Sequence, residues 1–368
     1  MRAGEAKALG KLAGDGVAGP LVLARELEAA ISGRTFGALG LLGAPVRVIY
    51  DGISKAVYRS VGAALRGPVS ATVSLLPADG RALADGIAGS LALGALNGVA
   101  GDALDPELAL EMSVRRDGLD ATPKLAVFVH GLCETEHAWR GAYGAALRDE
   151  LGFTPVYVRY NTGLHVSDNG RELAARIGEL VDDSPVEVEQ IALIGHSMGG
   201  LVARSACHYG DPGWTSRLTH VFCLGTPHLG APLEKAANVG AWALGRVPES
   251  RPFANVLNLR SAGIKDLRYG SCIEEDWLDH DPDELLRDRC GDVPFLPDAT
   301  YCFVAATLRP PLGTLVGDLL VMRGSASGSG RTRRIPFEID NGRHLDGLNH
   351  FQLLDHPSVY EQIRAWLR

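Results

Sequence analysis

One segment decides the fold of this chain: Gln190-Ile191-Ala192-Leu193-Ile194-Gly195-His196-Ser197-Met198-Gly199-Gly200. The mostly apolar residues 190–194 predict a buried strand, and residues 198–209 predict a helix. Between them lies Gly-x-Ser-x-Gly, the pattern of a sharp strand-to-helix turn that exposes a serine hydroxyl, known as a nucleophile elbow. Side chains at Gly195 and Gly199 would collide with the neighbouring backbone of such a turn. Ser197 is therefore the predicted nucleophile, with His196 beside it in the elbow.

From about residue 120 onward, short β-branched runs alternate with amphipathic segments. This alternation predicts βαβ units, and hence an α/β fold with a mostly parallel sheet and helices on both faces. Predicted strands cover 125–129, 155–160, 190–194, 220–224, 301–305 and 335–339, and predicted helices cover 139–151, 170–181 and 198–209. In such sheets the active site lies beyond the carboxyl ends of the strands.

A second turn fits the chemistry of the elbow. The strand over 125–129 runs into His130-Gly131-Leu132-Cys133. In this architecture one oxyanion N–H comes from the residue after the nucleophile and the other from the loop after an earlier strand. The backbone N–H groups of Met198 and Leu132 are thus the predicted oxyanion donors, and His130 is expected to support the loop. The alternative is a plain turn at the end of a strand.

Three segments carry a family resemblance: Phe128-Val129-His130-Gly131-Leu132, Gly195-His196-Ser197-Met198-Gly199-Gly200-Leu201-Val202-Ala203-Arg204 and Leu224-Gly225-Thr226-Pro227-His228-Leu229-Gly230-Ala231-Pro232. They resemble segments of α/β-hydrolase lipases and esterases, in particular bacterial triacylglycerol-lipase-like and GPI-inositol-deacylase-like hydrolases. The resemblance covers about residues 122–368. It implies an α/β-hydrolase fold, hydrolysis of acyl esters, and a cap over the pocket at about 231–298.

The acid and the base of this fold follow the serine in the order Asp or Glu, then His. Asp318 follows the strand over 301–305, in a segment similar to the Gly-x-x-Asp-Gly-x-Val of lipases, with Leu319 in place of the second glycine. Asp340 and Asp346 are the alternative acids. His350 precedes the terminal helix, in a His-Phe-x-Leu-Leu segment that the resemblance favours. It is the predicted base, with His344 as the alternative.

These residues predict acyl transfer through a covalent acyl-enzyme on Ser197, which needs neither a cofactor nor a metal ion. The predicted function is a carboxylic ester hydrolase, an esterase or lipase acting on a small-molecule or lipid acyl ester. A thioesterase, an amidase or an acyltransferase with the same three residues is the alternative. A non-catalytic hydrolase-like binding protein is a further one.

The first 120 residues form a separate region that matches no motif. Helical spacing of apolar residues predicts helices over 21–31, 45–65 and 80–96. This helical N-terminal region either packs on the hydrolase domain, residues 121–368, or forms a cap or docking surface.

Composition limits the partners and the location. The formal net charge is −8, and the chain lacks the basic stripe of a nucleic-acid-binding protein. The longest apolar run, over 86–96, is shorter than the roughly 18–20 residues of a transmembrane segment. The N-terminus has no secretory signal pattern. A cytoplasmic location is therefore expected, with export left open.

Four groups of residues allow two interpretations each. Polar residues after the strand over 155–160 either position substrate or tie their loop: Asn161, His165 and Asn169. Apolar residues over 236–244 either line a pocket or pack as an ordinary helix. The acidic run over 276–284 is either a calcium site or a solvated face. Cys272 and Cys290 are either a disulfide or two thiols.

Overall fold

The computed structural model describes residues 1–14, 80–116, 121–139, 142–246, 258–309, 313 and 317–368 of the chain. The helices predicted over 21–31 and 45–65 lie outside these residues. The helix predicted over 80–96 is present, but it begins and ends later. A short 3₁₀ turn at Leu83–Asp85 precedes the helix Ile87–Ala100.

A seven-stranded sheet forms the centre of the described chain, in the order β1-β3-β2-β4-β5-β6-β7. The strands are β1 Ser113–Arg116, β2 Lys124–Val129, β3 Phe153–Arg159, β4 Gln190–His196, β5 Leu218–Leu224, β6 Thr300–Thr307 and β7 Gly342–Asp346. All neighbours pair in parallel except β1, which is antiparallel to β3 at the edge. The predicted mostly parallel sheet is thus confirmed.

Helices cover both faces of the sheet. They are α1 Ala3–Gly14, α2 Ile87–Ala100, α3 Ala142–Leu151, α4 Val166–Asp182, α5 Met198–Tyr209, α6 Pro212–Thr215, α7 Pro232–Gly245, α8 Ala262–Asp266, α9 Arg323–Ala326 and α10 Pro357–Trp366. One apolar cluster joins the sheet to α4 and α5, and a second joins its other face to α3 and α10. None of the helices within the described ranges is long and apolar enough to cross a membrane.

The central strand shows why the sheet is buried on both faces. In β4 every residue after Gln190 is buried, and the run is apolar up to Ile194. The crossover helices that connect parallel strands lie on both faces of the sheet, so a central parallel strand is buried on both faces. Ser197 therefore directly follows the carboxyl end of a strand that is buried on both faces.

The last strand was predicted wrongly. Residues 335–339 form no strand, and β7 lies later, at Gly342–Asp346. In the predicted segment Pro336 offers no backbone N–H and Ile339 is 93% exposed. The true strand is polar because it lies at the sheet edge and pairs only with β6.

The N-terminal region contributes more than helices. Leu9 of α1 packs with Leu93 and Leu96 of α2 in a small apolar cluster of its own. Strand β1, however, lies within residues 1–120 and completes one edge of the sheet. Helices alone therefore do not account for this region.

The long segment between β5 and β6 carries α7 and α8, at the position of the predicted cap. In α7, Val239 is 39% exposed and Trp242 is 38% exposed, and the Arg246 guanidinium lies over the Trp242 ring. These two side chains face outward from the described part of the protein rather than packing in its core.

Candidate active site

Ser197 lies on a strained turn between β4 and α5. Its φ of 54° and ψ of −123° place a non-glycine residue in a rarely populated conformation. Its backbone N–H donates to the Leu224 carbonyl at 2.8 Å. A Cβ at Gly195 would lie 2.5 Å from the Gly199 carbonyl carbon, and a Cβ at Gly199 would overlap the Val129 carbonyl. Both glycines are thus required, as expected of an elbow.

The structure brings together the predicted acid and the predicted base. Nδ1 of His350 lies 2.7 Å from Oδ2 of Asp318, and both side chains are 1% exposed. The other carboxylate oxygen accepts hydrogen bonds from the N–H groups of Val321 at 2.8 Å and Leu320 at 3.1 Å. Both oxygens of the Asp318 carboxylate are therefore hydrogen-bonded, and Oδ2 faces Nδ1 of the imidazole.

The charge of Asp318 controls the titration of His350. Burial alone would lower the pKa of His350, but the Asp318 carboxylate outweighs burial and raises this pKa above its ordinary value. Among the described residues, Nε2 of His350 is buried and has no hydrogen-bond partner. With Nδ1 bonded to Asp318, Nε2 is the nitrogen left to take up a proton.

A close-packed backbone turn holds the imidazole. Gly225 has φ +61°, and a Cβ there would lie 3.1 Å from Cε1 of His350. On the acid side, Leu319 has φ +100°, a conformation that favours glycine. This explains physically why a glycine would suit position 319.

The alternative acids and base lie elsewhere. Asp340 is exposed on the turn before β7, and Asp346 accepts the Thr307 hydroxyl at 2.6 Å. The ring of His344 packs edge-on against Phe303, 5.4 Å between centroids. The structure pairs none of the three with Ser197 or His350.

The turn after β2 lies directly against the serine. A Cβ at Gly131 would lie 3.0 Å from Cβ of Ser197. Leu132 follows, partly exposed, and Cys133 has φ 61°. Met198 is fully buried at the start of α5. The two predicted oxyanion donors thus belong to turns that meet at Ser197.

His130 supports this turn, as expected. Its ring stacks on Tyr160 with centroids 4.4 Å apart, and Nδ1 lies 3.0 Å from the Gly131 carbonyl. The Tyr160 hydroxyl donates to the His130 carbonyl at 2.7 Å. Burial lowers the pKa of His130 to about 4, so the ring is neutral near pH 7.

Sequence reasoning missed Glu134. Its Oε2 accepts the Gly131 N–H at 2.7 Å and lies 3.3 Å from Nδ1 of His196. Nε2 of His196 lies 3.1 Å from the carbonyl of His350. The glutamate comes just after the quoted turn motif, and its only sequence signal is a carboxylate directly after the predicted oxyanion loop.

The polar residues after β3 tie their loop. Asn161 donates to the Gly101 carbonyl at 2.9 Å, and Asn169 donates to the Asn161 carbonyl at 2.9 Å. His165 pairs with Asp266 of α8 at 3.1 Å and stacks on Trp277. These contacts favour the structural interpretation over substrate positioning.

Three carboxylates of the acidic run over 276–284 contact other groups of this chain. Asp276 accepts backbone N–H groups, Asp283 pairs with Lys265 at 3.1 Å, and Glu284 pairs with Arg289 at 2.6 Å. The described residues contain no group of three or more His, Cys, Asp or Glu side chains arranged to hold a metal ion. Cys272 and Cys290 form no disulfide.

Part of this chain matches the model of a known protein family. Residues 127–267 match the model of the PGAP1-like alpha/beta domain. Among curated proteins, none matches the chain significantly. The mature lipase BlEst2 of Bacillus licheniformis is 19% identical, with a TM-score of 0.45 over 70% of this chain and 97% of that one.

Two further solved structures are similar. A lipase-esterase related protein of Clostridium acetobutylicum is 15% identical, with a TM-score of 0.41 over 70% of this chain and 99% of that one. The alpha/beta hydrolase domain-containing protein 10 of mouse is 10% identical, with a TM-score of 0.40 over 70% of this chain and 92% of that one.

The strand order and the turn at Ser197 define the α/β-hydrolase fold. Within that class, residues 127–267 match the PGAP1-like alpha/beta domain, and this match supports the resemblance to α/β-hydrolases that the sequence predicted.

Proposed function

We propose that the protein is a serine hydrolase that cleaves carboxylic acyl esters through an acyl-enzyme. His350 accepts the proton of Ser197 through Nε2 as the serine oxygen attacks the ester carbonyl. Asp318 orients the imidazole and stabilises the imidazolium. The N–H groups of Leu132 and Met198 stabilise the oxyanion. His350 then protonates the leaving alcohol, and water releases the acid by the same steps.

One observation carries the proposal: the buried pair of His350 and Asp318, with Nε2 of the imidazole unpartnered within the described structure. The residue before Ser197 contacts that imidazole, since the rings of His196 and His350 have centroids 4.7 Å apart. A buried acid–base pair in contact with the residue before a strained serine is an arrangement that can activate a hydroxyl nucleophile.

The proposed substrate is a small-molecule or lipid ester, and nucleic acid is not among the proposed partners because the net charge is −8. A cytoplasmic location stays part of the proposal, to be tested by cell fractionation. A thioesterase, amidase or acyltransferase would use the same residues. Ester, thioester and amide substrates of matched acyl chain length separate these activities.

The test is hydrolysis of p-nitrophenyl esters from C2 to C16 by the full chain and by Ser197→Ala. We expect the variant to lose on the order of 10⁶ in rate and to keep its melting temperature, because the serine is only partly buried. Activity within tenfold of the unmodified chain, with contaminating esterase excluded, would refute the nucleophile.

A further inference from the structure

Glu134 lies where the turns of the proposed site meet. One oxygen, Oε2, accepts the Gly131 N–H at 2.7 Å and lies 3.3 Å from Nδ1 of His196. The side chains of Glu134 and His196 are only 15% and 1% exposed. An enclosed carboxylate is costly unless it is paired and hydrogen-bonded. The proposed mechanism gives this carboxylate no part in the chemistry.

His196 contacts an oxygen atom through each of its ring nitrogens. Nδ1 lies 3.3 Å from the Glu134 carboxylate, and Nε2 lies 3.1 Å from the His350 carbonyl. The ring therefore bridges the Glu134 side chain and the backbone of the proposed base.

Glu134 faces this ring as a charged carboxylate. Burial alone would raise the pKa of Glu134, but His196 and the Gly131 N–H lower this pKa to about 2, so Glu134 is ionised. The other titratable groups here are His350, which is paired with Asp318, and His130, which is neutral near pH 7. Glu134 is thus the carboxylate in contact with the ring of His196.

We propose that Glu134 is a positioning residue for the oxyanion loop. Through the ring of His196, it ties the turn after β2 to the nucleophile turn and to the backbone of His350. The inference rests on the proposed function of Ser197. Because the oxyanion forms only after the serine attacks and is absent from the bound ester, loosening this tie lowers kcat and leaves KM nearly unchanged.

Glu136 supplies a matched control. It is also buried, at 5% exposure, and its carboxylate accepts a hydrogen bond from Nε of Arg159 at 2.8 Å. Its other ionic partner is His137, at 3.6 Å. Glu136→Gln therefore removes a buried charge two residues away without touching the tie between the turns.

The experiment measures kcat, KM and melting temperature for the full chain and four variants, with the p-nitrophenyl ester hydrolysed fastest. The variants are Glu134→Ala, Glu134→Gln, Glu136→Gln and Ser197→Ala. We expect Glu134→Ala to lose about 10²-fold in kcat, the cost of misplacing a catalytic group by about 1 Å. We expect Glu134→Gln to lose less, because its amide oxygen still accepts the Gly131 N–H, and Glu136→Gln to keep kcat.

A second measurement does not depend on activity. Ring-nitrogen NMR of the ¹⁵N-histidine-labelled full chain should show an Nδ1 resonance of His196 that is displaced in folded Glu134→Gln and unchanged in Glu136→Gln. An Nδ1 resonance that Glu134→Gln leaves unchanged overturns the proposal, even where Glu134→Ala fails to fold. So does a kcat for folded Glu134→Ala within threefold of the unmodified chain. Activity retained in Ser197→Ala instead overturns the proposed function.

Discussion

At the scale of single residues, the site depends on one histidine whose two nitrogens have different surroundings. Nδ1 of His350 is bonded to Asp318 at 2.7 Å, and Nε2 is left to exchange a proton. The carboxylate thereby selects the tautomer that can accept from Ser197. The order of residues along the chain left three acids open, the resemblance of its segment favoured Asp318, and only the fold shows the pairing of Asp318 with His350.

The raised pKa of His350 predicts the pH dependence of activity. The proposed base works only when neutral, and the Asp318 charge favours the protonated ring. We therefore expect kcat/KM to rise with pH through one inflection above the ordinary histidine value of about 6.5, and then to plateau. In Asp318→Asn the inflection should move down, and turnover should fall about 10⁴-fold.

Asp346→Asn is the control for that profile, since the Asp346 carboxylate accepts the Thr307 hydroxyl. It should leave both the inflection and the plateau unchanged. If Asp346→Asn lost activity and Asp318→Asn did not, the acid would be misassigned.

At the scale of elements, helix α2 of the N-terminal region lies against the turn after β2, which contains the proposed oxyanion donor Leu132. A Cβ at Gly98 would lie 2.9 Å from both Cα and N of Cys133, and one at Gly94 would lie 2.8 Å from the Glu134 carbonyl. The Gly98 carbonyl also accepts the Ser261 hydroxyl at 2.7 Å. The small residues of α2 thus allow its backbone to approach the turn closely.

Gly98→Ala should therefore disturb catalysis from outside the site. The nearest atom, Sγ of Cys133, could rotate away, but Cα and N belong to the backbone, so the turn or the helix must shift. We expect a loss of about 1–3 kcal/mol in the free energy of unfolding and about 10²-fold in kcat. Gly86→Ala, at the start of the same helix, has nothing within 4 Å and should change neither. Unaltered kcat and stability in Gly98→Ala would show that α2 does not hold the turn.

The elements show how far the sequence predicts the fold. Buried strands such as β2 and β4 were predicted within one or two residues, because a short apolar run that ends in a glycine-containing turn indicates a buried strand. Strand β7 was misplaced because an edge strand carries no such run, and β1 was missed for the same reason. The contacts of Glu134 join residues far apart in the chain, so only the fold reveals them.

At the scale of the whole molecule, described residues of the N-terminal region pair with the sheet and form hydrogen bonds with its loops. Strand β1 pairs with β3, and the end of α2 is bonded to Asn161 and, through Ser261, to the segment before α8. The helices rich in small residues gain their stability from such packing. We propose that the described residues of this region, 1–14 and 80–116, belong to one folding unit with the sheet rather than to an independent module.

Truncation tests this arrangement. A chain starting at Ala121 should be insoluble or should melt at a lower temperature, because it loses β1 and exposes the turn after β2 that α2 covers. A chain starting at Met112 keeps β1, and separates the sheet edge from the role of α2. A soluble, fully active Ala121 chain with an unchanged melting temperature would contradict the proposal and favour a separate docking module.

The most direct test of the central claim is to identify the residue that an active-site phosphonate modifies. The full chain is treated with a fluorophosphonate, digested, and analysed by mass spectrometry. We expect stoichiometric modification of Ser197, loss of ester hydrolysis in proportion, and no modification in Ser197→Ala. An adduct on another residue, or ester hydrolysis that continues after Ser197 is fully modified, would contradict the account.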